Sequence, residues 1–142
     1  MKKYVFLIIS ILWTIVILSF SVQSGESSAS LSYDITLFIY NGFKSINPNI
    51  NFDVLHLVIR KCAHVGEYAI LGILYMITGI SFHLKRWIII SLGLVIALVD
   101  EGIQILSIER GPSFVDALLF DFPGFLIGVF ITYAIYKIVH KI

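Results

Sequence analysis

Apolar residues in this chain come in long runs, with no sustained alternation against polar ones. Four windows of about 18 to 22 mostly apolar residues lie roughly at 4–22, 62–82, 87–107 and 118–139. About 20 residues of helix are enough to cross a hydrocarbon core, so each window predicts a transmembrane helix. The longest polar interruption is 21–53, and it contains LSYDITLFIYNGF. Within it Leu31, Ile35, Phe38, Phe43 and Ile46 approximate one helical face, which predicts a short helix lying in the membrane interface, with an extended surface loop as the alternative. The pattern therefore predicts an all-α polytopic membrane protein: four transmembrane helices plus an interfacial helix between the first and second, in one domain over 1–142. No internal repeat, low-complexity run or interdomain hinge interrupts it.

Residues 1–24 admit a second reading as a cleaved signal peptide, because Lys2 and Lys3 precede an apolar run and small residues follow. The run from Tyr4 to Phe20 exceeds the usual apolar region of such a leader, and no A-x-A site ends it. A retained anchor is the expectation.

Composition reinforces the membrane assignment, with 58% hydrophobic and 13% charged residues and a mean hydropathy of +0.96. A net charge of +1, with no basic stripe interleaved with aromatics, gives no support to a nucleic-acid partner. The single Cys62 cannot form an internal disulfide. Membrane lipids are the expected surroundings, and oligomeric state is not encoded in any visible pattern.

Charge placement changes the picture more than charge count. If the spans alternate, Lys2, Lys3, Lys85, Arg86, Lys137 and Lys141 fall on one side, which predicts a multi-pass protein of the cell membrane with both termini cytoplasmic. The other side receives Lys44, Arg60, Lys61 and Arg110 and all nine carboxylates: Glu26, Asp34, Asp53, Glu67, Asp100, Glu101, Glu109, Asp116 and Asp121. At a helical rise of about 1.5 Å per residue, Glu67, Asp100 and Asp121 each lie about 20 to 24 Å above the basic ends of their spans. That is the outer third of a core about 30 Å thick. A carboxylate there costs about 2.5 to 3.5 kcal/mol unless it is paired, hydrated or turned into the bundle.

Helical spacing indicates how these groups face one another. Arg60, His64, Glu67 and Leu71 recur at intervals of four, three and four, and Asp100 and Glu101 precede Gln104 by four and three, so each set shares a face. In ERGPSFVDALLFDFPGFLIG, Gly111 and Pro112 make a turn and Asp116 begins the last span, which hangs Arg110 over the layer. Arg60, Lys61 and Arg110 then oppose Glu67, Asp100, Glu101, Asp116 and Asp121, with His64 titratable among them. Gln104 and Tyr68 are expected as supporting hydrogen-bond partners, and Gly124 and Gly128 as a close helix-packing face. His83 and His140 fall at the cytoplasmic interface.

These residues resemble the VanZ-like family. Its signature blocks R-K-x-x-H-x-x-E-Y-x-x-L-G, D-E-x-x-Q and G-R-x-x-S-x-x-D read here as RKCAHVGEYAILG, DEGIQ and an R-x-x-S-x-x-D carried by Arg110, Ser113 and Asp116, followed by Gly124 and Gly128. The Ser-rich SFSVQSGESSASLS after the first span is similar to the family's segment there. There are two departures. Phe120 stands where the family usually has Asn or Asp four residues after the motif aspartate, with Asp121 one further on, and Pro123 precedes Gly124. Either the last helix starts later, near Ala117, or a local bulge lets Asp121 face inward.

The resemblance implies an integral membrane protein similar to one associated with low-level resistance to teicoplanin-type glycopeptide antibiotics, acting at the cell envelope. Three readings of the site follow. As a binding module, it would use Arg60, Lys61 and Arg110 on an anionic envelope ligand or a glycopeptide, with His64, Glu67, Asp100, Glu101, Gln104, Ser113 and Asp116 completing the site. As an enzyme, it would take acid and base from His64, Glu67, Asp100 and Glu101 for a lipid or cell-wall precursor. As a polar lock, it would hold the bundle in register with no ligand. An ion-coupled carrier is disfavoured, because IVILSF, LGILYMITGI and LGLVIA offer nothing ionisable through the inner half. Ser113 has no Asp-His relay at a known spacing, so nucleophilic catalysis is not expected. No cofactor is expected and no metal site, since H-E-x-x-H is absent, no second His joins the layer unless His56 folds down, and three cations oppose a metal.

Overall fold

The structure is a computed structural model and describes residues 2–22, 25–44, 46–104 and 114–140, with backbone alone over 25–31. It contains five helices and, among the described residues, no strand: α1 (Lys2–Val22), α2 (Gly25–Lys44), α3 (Phe52–Ser81), α4 (Arg86–Gln104) and α5 (Phe114–Val139). All but α2 are long and apolar enough to cross a membrane. They correspond to the four windows.

The largest difference in boundaries is α3, which begins ten residues before its apolar window. Asn51 caps it, its side chain accepting from the backbone N–H of Asp53 at 2.9 Å and of Val54 at 3.2 Å, and Asp53 places a negative charge on the first turn. A helix of 30 residues is about 45 Å long, so its first turns stand beyond a hydrocarbon core. There α2 packs against it. Ser32 Oγ meets His56 Nε2 at 2.7 Å, and Tyr33 and Tyr40 pack on Phe52 at ring distances of 5.2 and 5.3 Å. Thr36 is buried, whereas Ile35, Phe38 and Phe43 of α2 and Ile46 just beyond it are exposed; the side chain of Leu31 lies outside the described residues. The apolar face expected of α2 thus points away from the protein, as a helix lying against acyl chains requires.

The central contact is between α3 and α5, and small residues determine it. A Cβ placed on Gly124 would meet the carbonyl of Val65 at 2.6 Å, one on Gly128 would strike the carbonyl of Ala69, and one on Gly72 would strike that of Phe125. Backbones can come this close only where side chains are missing, which is the packing expected of Gly124 and Gly128. Phe125 fills the space that Gly93 of α4 leaves open. Leu71, Met76, Ile89, Ala97 and Val129 continue the core around it.

α1 is held mainly by hydroxyls. Ser10 donates to the Phe6 carbonyl at 2.8 Å, so it is Thr78 that donates to Ser10 at 2.9 Å. Thr14 likewise donates to Ser10 O, leaving Tyr75 to donate to Thr14 at 3.1 Å, and Trp13 Nε1 donates to the Glu67 carbonyl at 3.1 Å. Its remaining large apolar residues, Ile8, Leu12 and Ile15 among them, face outward.

The helix ends sort by charge. Lys3 lies over Phe82 at 5.2 Å, and Arg86 and Lys137 lie over Tyr133 at 4.6 and 5.3 Å. The start of α1, the α3–α4 turn and the end of α5 therefore share one basic end. The α3–α4 turn is tight and uses His83 at φ 55°, the one described non-glycine residue with positive φ.

Candidate functional site

At the opposite end, three helices bring together His64 of α3, Asp100 of α4 and Asp121 of α5. One nitrogen or oxygen from each lies within 4.8 Å of the other two. His64 Nδ1 is 3.4 Å from Asp121 Oδ1. His64 is half-buried, while Asp100 and Asp121 are 0% and 1% exposed.

The α3–α5 glycine contact accounts for this meeting. His64 immediately precedes Val65, and Asp121 lies three residues before Gly124, so the close approach of Gly124 to Val65 sets the distance between the two side chains above it.

Asp121 arrives through a local irregularity. Residues Ala117–Asp121 form a π turn, with the Phe122 N–H bonded to the Ala117 carbonyl five residues back. In a regular α-helix Asp116 and Asp121 would stand about 140° apart, because five residues advance about 500°. The wider turn absorbs the extra residue and brings both toward α3. Pro123 gives a cause, since its ring would clash with the carbonyl four residues back in a regular helix and it has no N–H to donate. Both departures from the family pattern thus have one explanation, and the bulge is realised rather than a late helix start near Ala117.

Sequence reasoning left open whether Asp121 faces the site, and the one-residue offset behind Phe120 was the reason. It passed over Ser21. At the end of α1, Ser21 is buried and donates to Asp100 Oδ1 at 2.5 Å, which makes α1 part of the site and not only an anchor. Its sole signal was a place in the Ser-rich segment at the height of the acids.

The other expected residues distribute around this centre. Tyr68 is fully buried, with its hydroxyl beside Asp100. Glu67 is half-buried next to His64. Glu101 is buried near Tyr68 and accepts from Gln104 Nε2 at 3.2 Å. Lys61 forms an ion pair with Asp116 and sits over the Phe120 ring at 4.9 Å. Arg60 is half-buried and forms no ion pair with any described residue. Arg110 and Ser113 lie outside the described residues. His56 is engaged with Ser32 on α2.

Three buried polar atoms lack a hydrogen-bond partner among the described residues: Asp100 Oδ2, Asp121 Oδ2 and the Tyr68 hydroxyl. Each such atom costs about 1 to 3 kcal/mol, more if charged. The three belong to adjoining side chains, so the cost is concentrated at one place. A set of an imidazole, two carboxyl groups and a phenol can transfer protons, orient a polar ligand or hold a cation.

Four helices long and apolar enough to cross a membrane, packed around buried ionisable groups, define a polytopic membrane protein with a buried polar cluster. Within that class the chain belongs to the VanZ/LLP1 family, whose model matches residues 6–138. No curated protein and no solved structure matches it.

Proposed function

We propose that this VanZ/LLP1 protein works in the cell membrane with both termini cytoplasmic, and that its polar end faces outward to bind or modify an envelope ligand bearing an anionic group. The consequence, by likeness to the family's glycopeptide association, is lowered susceptibility to teicoplanin-type antibiotics. The observation that carries this reading is the uncompensated centre formed by Asp100, Asp121 and Tyr68. A lock between helices is most stable when every buried group is paired, whereas a binding site keeps groups in reserve. Arg60, unengaged by any described carboxylate, supplies a cation for an anionic head group.

An enzyme reading has its own support. Asp121 beside His64 is the arrangement by which a carboxylate orients an imidazole and stabilises its charged form, as acid-base chemistry on a lipid or cell-wall precursor would need.

Thermal stability of the purified protein across cell-wall precursors, anionic lipids and glycopeptides tests the proposal. One class should raise the melting temperature in the wild type and not in Arg60→Ala. Equal indifference to all three classes would count against a ligand. Turnover of a precursor, lost in His64→Ala, would select the enzyme.

A further inference from the structure

We propose that His64, Asp100 and Asp121 bind a divalent first-row transition ion, Mn2+ or Zn2+. The inference rests on the preceding reading only in treating this cluster as a binding site.

The donors come from α3, α4 and α5, and one atom of each lies within 4.8 Å of the others, which fits a shared central ion. Two of the orphaned buried atoms, Asp100 Oδ2 and Asp121 Oδ2, belong to these same ligands, and the third, the Tyr68 hydroxyl, lies beside Asp100. The two carboxylate oxygens are unsatisfied polar atoms on side chains that are almost wholly buried, and an ion at the centre satisfies both. Ser21 holds the other oxygen of Asp100 at 2.5 Å, which is how an outer hydrogen bond fixes a ligating carboxylate.

Charge agrees with this arrangement. Two carboxylates with a neutral imidazole carry two negative charges, which a divalent ion cancels. Of the cations that oppose a metal on sequence grounds, Lys61 is paired with Asp116, Arg60 forms no ion pair with any described carboxylate, and Arg110 lies outside the described residues. One imidazole nitrogen with carboxylate oxygens favours Mn2+ or Zn2+ over Ca2+ or Mg2+, which prefer oxygen alone. Three protein ligands also leave a coordination position for water or for an anionic oxygen of a ligand.

The test is made on the purified full chain, stripped with a chelator and then titrated with Mn2+, Zn2+, Mg2+ or Ca2+, reading bound metal and melting temperature. About one Mn2+ or Zn2+ per chain is expected, with a rise in melting temperature. Asp121→Asn and Asp100→Asn should weaken binding at least about 100-fold, and Ser21→Ala about 10- to 100-fold. Asp34→Asn, an exposed change on α2, should leave it unaltered. Folded wild-type protein that takes up no ion at millimolar concentration overturns the proposal, as does unchanged binding in both aspartate variants. Because metal content is read without any envelope ligand, the two readings fail separately: ligand stabilisation without metal uptake sinks the ion alone, and metal uptake without ligand stabilisation sinks the ligand alone.

Discussion

Asp100 shows what one side chain in this bundle must reconcile. It is fully buried, one oxygen accepts from Ser21, and the other has no partner among the described residues. Replacing Ser21 by Ala removes the donor to Oδ1, so Ser21→Ala should destabilise the protein by about 1 to 2 kcal/mol, measured by reversible unfolding in detergent. Ser21→Thr keeps the hydroxyl and should recover most of that loss. Legibility in the sequence was uneven at this scale. His64, Glu67, Asp100 and Glu101 could be found because an ionisable group in an apolar run stands out and helical spacing gives its face. Ser21 could not, since a serine at the end of a span is unremarkable by composition and its partner is 79 positions away.

At the scale of elements, the four spans were legible because hydropathy over about 20 residues is a strong signal, and the interfacial helix because its apolar positions keep helical period. The early start of α3 was missed because its first turns are too polar for a hydropathy window, though Asn51 and Asp53 are cap signals in plain view. The π turn in α5 was legible only as two alternatives, and the energetics of Pro123 decide between them. Its geometry makes an unusual prediction. Deleting Leu119, an exposed residue inside the wide turn, in a Pro123→Ala background that removes the ring clash, should convert it to regular helix and place the two aspartates four apart, still on one face. That deletion should fold and retain metal and ligand binding, while deleting Ile127 from the regular part of α5 should rotate the halves of the helix by about 100° and abolish folding. Yields and melting temperatures of the two deletions check this; a failure of the Leu119 deletion comparable to that of Ile127 would show that the turn is not a simple insertion. The glycine contact is tested as directly. Gly128→Ala pushes a Cβ into the Ala69 carbonyl and should cost about 1 to 3 kcal/mol, whereas Gly66→Ala, with open space around it, should be neutral or gain about 0.5 kcal/mol.

For the whole molecule, Lys3, Arg86 and Lys137 gather at one end and the buried acids lie toward the other, so the account assigns each end a side of the membrane. With Cys62 replaced, a cysteine at Asn47 should react with an impermeant reagent added from outside, and one at Lys85 should not. The reverse would turn the site toward the cytoplasm. Such a site is more than register demands, since Gly124, Gly128 and the hydroxyls of α1 already fix the packing. The central claim is that the cluster does something besides hold the helices together. The most direct measurement compares, for His64→Ala, Glu67→Gln, Asp100→Asn and Asp121→Asn, the folded protein recovered from the membrane with teicoplanin susceptibility of cells carrying each variant. The account predicts that at least one of them keeps near-wild-type amount and melting temperature while the protection proposed for the wild type is lost. Protection that rises and falls with folded protein across all four would contradict it, and would make the cluster a lock.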